Sequence, residues 1–258
     1  MAIKTRKISD WLSANGQAIT NASAASMKTY LEQNLRPLQD GVYIGKIQND
    51  GWGTQNGDET ANIGSYMRIE PWQTTGIGIS SGDADAIVIQ HGGYRLGIAL
   101  TEPSGEMKWG SVQNGSSVGY QTSGDLNTFD GSTRTAGIMA SSYYKNDDPA
   151  TCGVAYCWNY MTKRTEGIKI CQIGKHNWWL PTMGDLALIH QHFETINLAL
   201  QRIKDAGKQP VSLLQRTGYW SCVEPSGLGA WILGFSNGGR LYGGKVDNSC
   251  RVRPVTAF

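Results

Sequence analysis

The chain has 258 residues, 17% of them charged, and a net charge of +2 with no dense Lys/Arg run. That length supports one large domain or two small ones, and the missing basic stripe argues against nucleic acid as a partner. Nine Trp and eleven Tyr beside four Phe, with 33 Gly, make a turn-rich and mostly β composition, which excludes a coiled coil and a disordered chain.

The opening residues, MAIKTRKISDWLSANG, are basic with no apolar run behind them, so no secretory signal peptide is expected. No later segment is long and apolar enough for membrane insertion. Residues 1–40 read as a separate helical N-terminal segment. From Ser23 to Leu35, residues Ala24, Met27, Tyr30, Leu31 and Leu35 recur at helical spacing, Pro37 stops the helix, and Asp40-Gly41 turns. Its apolar face packs within its own domain or against sister chains, as an oligomerisation arm or virion anchor would.

From Val42 the pattern becomes short strands. Val42–Ile47 is one; Asp85–Gln90 and Tyr94–Leu100 are two more, joined by His91-Gly92-Gly93 as a hairpin. Residues 104–133 are mostly loop, and Gly137–Tyr143 and Ala150–Tyr160 are helical candidates. After Trp179-Leu180-Pro181, Thr182 and Asp185 form a capping-box start. Leu186, Ile189, Phe193, Ile196, Leu200 and Ile203 then make one apolar stripe that ends at Gly207, which predicts one long helix laid across a sheet. Trp231, Leu233 and Phe235 alternate with Ile232 and Gly234, so the first three are expected inward and the other two outward. Asn237-Gly238 is a tight hairpin turn, and Pro254 belongs at a strand end or on an edge.

The segment from Gly218 to Phe258 interleaves two kinds of position. Trp220, Trp231, Leu233, Phe235, Val252 and Val255 are expected in the core. Between them stand Pro225, Gly227, Leu228, Gly229, Ile232, Gly234, Gly239, Arg240, Leu241, Tyr242, Gly243, Gly244, Asp247 and Asn248, which share no chemical theme. That is the pattern of a scaffold carrying a changeable binding face, because a catalytic site would demand particular groups.

Catalytic and metal-binding readings fare worse. Cys152, Cys157, Cys171, Cys222 and Cys250 are odd in number, which argues against a disulfide framework and for synthesis in a reducing place. The first three lack the spacing of a zinc site. His190 and His192 fall on different faces of a helix and read as solvated residues. Glu224-Pro225-Ser226 resembles the Glu-Pro-Asn tripeptide of calcium-dependent lectins, but the Asn is replaced and a lone acid cannot supply the six to eight oxygens calcium takes. No cofactor and no metal is expected.

The order of motifs resembles a known family. It comprises the apolar hairpin over 85–100, Trp178-Trp179-Leu180-Pro181 before a long helix, Tyr219-Trp220-Ser221, Ala230-Trp231-x-Leu233-x-Phe235-Ser236-Asn237-Gly238, and Arg251-Val252-Arg253-Pro254-Val255. This is similar to the C-type lectin fold in its formylglycine-generating-enzyme-like branch, and more closely to the variable proteins diversified by diversity-generating retroelements in phages and gut bacteria. The likeness is specific over residues 178–258, weaker over 41–111, and does not reach 1–40.

The resemblance implies an α+β C-type lectin fold over 41–258, with short strands, hairpins and a long amphipathic helix. Its ligand-binding region lies at about 218–258. In that family, error-prone reverse transcription turns template Asn codons into many residues but not Lys, Glu, Gln, Trp or Met. Every member of the changeable set is permitted, while Trp220, Glu224, Trp231 and Lys245 are not. The implied function is receptor recognition rather than catalysis, in a phage host-attachment protein. The implied partner is a protein or glycan on a bacterial cell surface, and the implied location is the virion tail, or the cytoplasm before assembly. The alternatives are a bacterial ligand-binding protein of the same fold and a formylglycine-generating-type oxidase. The oxidase would need Cys222 and Cys250 to hold copper, and both read as chance products of diversification. A homo-oligomer would add avidity to a weak face.

Overall fold

Continuous apolar runs build the largest sheet. Strands β1 (Gly41–Asn49), β2 (Ser65–Pro71), β3 (Ala86–His91) and β4 (Tyr94–Ala99) pair antiparallel, and β10 (Val255–Ala257) joins the outside of β4 to give the order β10-β4-β3-β1-β2. The chain divides into two units, residues 1–39 and 40–258. The computed structural model describes residues 39–49, 65–73, 83–113, 115, 119–161, 178–207 and 209–257. The helix expected over 23–35 lies outside the described residues, as does Cys171.

The β3–β4 hairpin turns where Gly92 takes φ 55°, a backbone state that favours glycine. Ala86, Ile87, Val88 and Ile89 are all buried, as a central strand covered on both faces requires. Pro254 sits just before β10, where its missing N–H costs no ladder bond, and its carbonyl accepts from Ala99 N–H.

Four helices are described. Helix α1 (Gly131–Ala140) starts six residues before the expected Gly137. Its first turns lack apolar periodicity and are held by packing, with Gly131 tucked under the Trp179 indole and an Asp130–Arg134 ion pair at 3.0 Å. Helix α2 (Gly153–Trp158) is the core of the segment expected over 150–160. The long helix is two, α3 (Met183–Gln191) and α4 (Phe193–Asp205), with His192 at φ −104° and ψ 16° breaking the ladder between them. The apolar stripe survives the break: Leu186, Ile189, Phe193, Ile196, Leu200 and Ile203 are all buried, and α4 packs on β1 and β3. The capping box is formed. Thr182 Oγ1 accepts from Asp185 N–H at 3.1 Å, and the Asp185 carboxylate accepts from Thr182 N–H at 2.9 Å and from the Tyr94 hydroxyl at 2.8 Å. Gly207, at φ 68°, closes α4.

The C-terminal part adds β6 (Gly218–Trp220), β7 (Gly229–Gly234) and β8 (Arg240–Gly244) as an antiparallel sheet in the order β6-β7-β8. A further strand, β9 (Ser249–Cys250), pairs with β5 (Met107–Lys108). The fold of the described residues is therefore mixed α+β with antiparallel sheets. Its aromatic interior is tightly joined. Phe235 stacks on Tyr219 at 4.4 Å and meets Phe193 edge-on at 6.0 Å. The buried indoles of Trp220 and Trp109 donate to the carbonyls of Met107 and Ser221 at 2.9 and 2.8 Å, so neither ring leaves an unpaired donor inside.

Strand β7 departs from the expected alternation. Leu233 and Phe235 are buried, but Ile232 is buried too, at 7% exposure, and Trp231 is only half-buried. As the central strand, β7 is covered on both faces, so period two does not separate core from solvent there. Ile232 sits beside Trp220 and between Gly218 and Gly243. Trp231 leans the other way over Gly124, and its indole donates to Gln121 carbonyl at 2.9 Å. The β7–β8 connection is also longer than a two-residue turn: it runs from Phe235 to Gly239, with Gly238 at φ 72°.

Candidate functional site

The β7–β8 hairpin carries the most exposed large side chains of the C-terminal part. Tyr242 is 70% exposed, Leu241 60% and Leu228 53%. Arg240, Asp247 and Asn248 are exposed beside them, and Pro225, Gly227, Gly239 and Gly244 are partly so. Tyr242 pairs across the strands with Trp231, their rings edge-to-face at 5.8 Å, while Leu241 pairs with Ile232 and points from the opposite face. The structure thus brings Arg240, Leu241, Tyr242, Leu228, Asp247 and Asn248 onto one exposed hairpin and its flanking turns.

It does not place the whole expected set outward. Gly229, Ile232, Gly234 and Gly243 are buried. A Cβ on Gly243 would stand 3.0 Å from the Trp220 ring and 3.1 Å from Ile232, and one on Gly229 would stand 3.0 Å from Gly243 carbonyl. These positions are small because neighbouring backbone and indole occupy the space a side chain needs. They shape the hairpin from inside it.

Beneath the hairpin lies a buried ion pair. Lys245 follows β8 and Glu224 precedes β7, and both side chains are fully enclosed. The Lys245 ammonium donates to Glu224, to Gly115 carbonyl at 2.6 Å and to the Tyr144 hydroxyl at 3.1 Å. It also lies 4.7 Å from the centre of the Trp109 ring and 5.4 Å from that of Tyr144. Burial draws Lys245 below its ordinary pKa, and Glu224 opposes that. Burial, then the Glu224 and Asp147 carboxylates, push the Tyr144 hydroxyl up, so it stays protonated and remains a hydrogen-bond partner. An enclosed ammonium needs this many acceptors to be tolerated. The result ties together the turns on both sides of the hairpin and the loop around Gly115.

That loop borders the hairpin, and no sequence motif pointed to it. Gln121 N–H donates to Glu224 carbonyl at 2.7 Å, Gly124 lies under Trp231, and Gln113 Nε2 donates to Asp247 Oδ2 at 2.7 Å. Exposed Tyr120 belongs to the same loop, and exposed Tyr143 packs against Gly115. The only available signal was a single tyrosine, Tyr120, in a Gly/Ser/Asn-rich stretch.

The other candidate groups are accounted for by packing. Glu224 is fully enclosed and ion-paired with Lys245. Cys222 is buried, and burial, then the Asp185 charge, push its thiol well up. Burial lifts Cys250 to about 12. His190 and His192 are half-buried rather than solvated. They line a small open pocket with Phe193, Glu194, Arg216 and Phe235, and the His190 ring lies 5.7 Å from that of Phe235. Among the described residues no cluster of three His, Cys, Asp or Glu side chains is arranged to hold a metal ion, and no helix is long and apolar enough to cross a membrane.

No family model and no curated protein matches the chain. A solved structure, a fimbrial protein from Bacteroides ovatus, is similar over 63% of this chain and 35% of that one, at 18% identity and a TM-score of 0.43. The chain spans about a third of that protein's length. Likeness at that level carries neither architecture nor activity across.

Proposed function

We propose that this is a ligand-recognition protein of the C-type lectin fold whose β7–β8 hairpin face is rewritten by a diversity-generating retroelement, and that it serves a phage in host attachment. The carrying observation is the contrast along one hairpin. Leu228, Arg240, Leu241 and Tyr242 project into solvent, while the residues that hold them, Trp220, Glu224 and Lys245, are fully enclosed. Exposed side chains are replaced at little cost, usually within about 0.5 kcal/mol, whereas enclosed rings and charges are not. The residues outside the permitted codon set are on the enclosed or half-enclosed side, which is the division that such rewriting needs. Aromatic and Arg side chains are the usual anchors of recognition, and Tyr242 and Arg240 supply both.

The test is binding of the purified protein to intact gut-bacterial surfaces, with Leu228, Arg240, Leu241 and Tyr242 exchanged together as the control. Loss of binding in that variant, with unchanged stability, supports the face. Binding that survives the exchange overturns it. The diversification itself requires a reverse transcriptase gene and a near-identical template repeat beside the coding sequence, and their absence removes that part of the proposal.

A further inference from the structure

The hydrogen-bond pattern of the same hairpin identifies a class of partner. Pairs across β7 and β8 alternate between those that exchange backbone hydrogen bonds and those that do not. Gly234 N–H donates to Gly239 carbonyl, and Lys245 N–H donates to Leu228 carbonyl. With the register Leu233↔Arg240, Ile232↔Leu241, Trp231↔Tyr242 and Ala230↔Gly243, the bonded pairs are those of Leu241 and Gly243. Trp231 agrees, since its own N–H and carbonyl are engaged on the β6 side by Val223 carbonyl and Ser221 N–H. The N–H and C=O groups of Arg240, Tyr242 and Gly244 therefore point away from β7.

Strand β8 is the edge of its sheet, so nothing among the described residues pairs with that row. Gly244 is closed off, because its N–H donates to Asn248 Oδ1 at 2.7 Å and its carbonyl accepts from Asn248 N–H at 3.1 Å. Arg240 and Tyr242 remain open, with two donors and two acceptors in strand spacing. The three side chains from Arg240 to Tyr242 are exposed on both faces, and the Arg240 guanidinium has no ion-pair partner among the described residues.

We infer that the open edge at Arg240 and Tyr242 takes up an extended, acidic polypeptide strand from its partner. This rests on the recognition role of the same hairpin and narrows its ligand from a protein or glycan surface to a peptide strand. An added strand satisfies all four backbone groups at once, which a sugar ring does not do at strand spacing. In an antiparallel addition, the incoming residue opposite Arg240 shares a face with the guanidinium and carries Asp or Glu. The residues opposite Leu241 and Tyr242 meet apolar surface on opposite faces and are apolar or aromatic. The incoming strand thus reads, from its N-terminal side, two apolar residues and then an acid. Because the bonds are to backbone, they persist when the exposed side chains change, leaving side chains to decide which strand is chosen.

The experiment pans a displayed library of random dodecapeptides against the full chain and measures the enriched peptides, made synthetically, against three variants. Tyr242→Pro removes an N–H that β7 does not use. Tyr242→Ala keeps that N–H and removes the ring. Arg240→Glu reverses the charge. The expected result is enrichment of the apolar-apolar-acid pattern, affinity at least tenfold lower in Tyr242→Pro than in Tyr242→Ala, and a switch to basic peptides in Arg240→Glu. An N-methyl scan of the best peptide is independent of whether the Pro variant folds. It should abolish binding at the residues opposite Arg240 and Tyr242 and spare the one opposite Leu241. Failure to enrich any peptide, equal affinity for the Pro and Ala variants in folded protein, or an N-methyl scan without alternation overturns the strand inference. The combined Arg240→Ala, Leu241→Ala, Tyr242→Ala variant separates the two proposals. Glycan-array or peptide binding that this variant loses, without strand-like behaviour, sinks the strand and keeps the face. Binding that it retains sinks both.

Discussion

Replacing Lys245 with Met tests whether the enclosed ion pair holds the hairpin. Met fills much of the same channel between the Trp109 and Tyr144 rings, so packing changes little. What changes is electrostatic. Glu224 loses the Lys245 ammonium while remaining fully enclosed, and the Gly115 carbonyl and Tyr144 hydroxyl each lose a hydrogen bond. Removing one partner of a buried pair costs about 3–5 kcal/mol, most of it the stranded charge. The Lys245→Met chain should therefore lose about that much unfolding free energy in urea at pH 7, followed by the emission of buried Trp109 and Trp220. Adding Glu224→Gln removes the stranded charge and should return about 2 kcal/mol or more, since neutral replacements of buried pairs are often tolerated. A loss under about 1 kcal/mol for the single variant would falsify this account of the pair, as would a double variant no more stable than the single one.

Asp185 gives a pH signature. Burial lifts its carboxyl to about 6 despite hydrogen bonds from Thr182 and Tyr94. The native state keeps that proton to a higher pH than the unfolded chain does, so this group's contribution to stability falls as pH rises from about 4 to about 6. The loss is on the order of 3 kcal/mol, and Asp185→Asn should flatten the slope of urea midpoints measured across that range. Gly184→Ala should destabilise by about 2 kcal/mol or more, because its Cβ would stand 2.8 Å from Leu126 carbonyl and closer still to that of Thr128, both backbone atoms that cannot swing aside; thermal melts check it. Leu241→Ala and Tyr242→Ala should each shift unfolding free energy by less than about 0.5 kcal/mol, whereas Trp220→Ala should cost about 3–5 kcal/mol. Similar losses from all three would remove the distinction between face and framework.

Much of the architecture was legible because local chemistry and tertiary packing agree. Gly92-Gly93 between two apolar runs makes the β3–β4 hairpin, and Thr182 with Asp185 starts α3 where the capping box places it. The apolar stripe from Leu186 to Ile203 was correct although the helix breaks at His192, since the periodicity survives a break that leaves its phase intact. Legibility failed where burial comes from both sides. Period two separates faces only when one of them is wet, and β7 is enclosed by β6 and β8 on its edges and by Trp220 and the loop beneath Trp231 on its faces. That is why Ile232 was expected outside and Trp231 inside. The same failure applies to Gly243 and Gly229, whose smallness reflects close neighbours rather than freedom. Arg240, Leu241 and Tyr242 were legible as exposed because an edge strand does wet both faces. The bordering loop with Gln113, Tyr120 and Gln121 was not legible, since it is positioned by bonds to residues a hundred or more positions away, such as that from the Trp231 indole to Gln121.

After the exposed hairpin the chain returns to the interior. Val255 is fully enclosed, pairs with Ile98, and exchanges backbone hydrogen bonds with Trp179. Translation must therefore pass through the whole hairpin before the strand that completes the large sheet is made. A stop or shifted frame within the hairpin leaves β4 with an empty flank and Trp179 with unmet backbone partners. Such a product loses the fold itself and not merely the exposed hairpin, and is left to proteolysis.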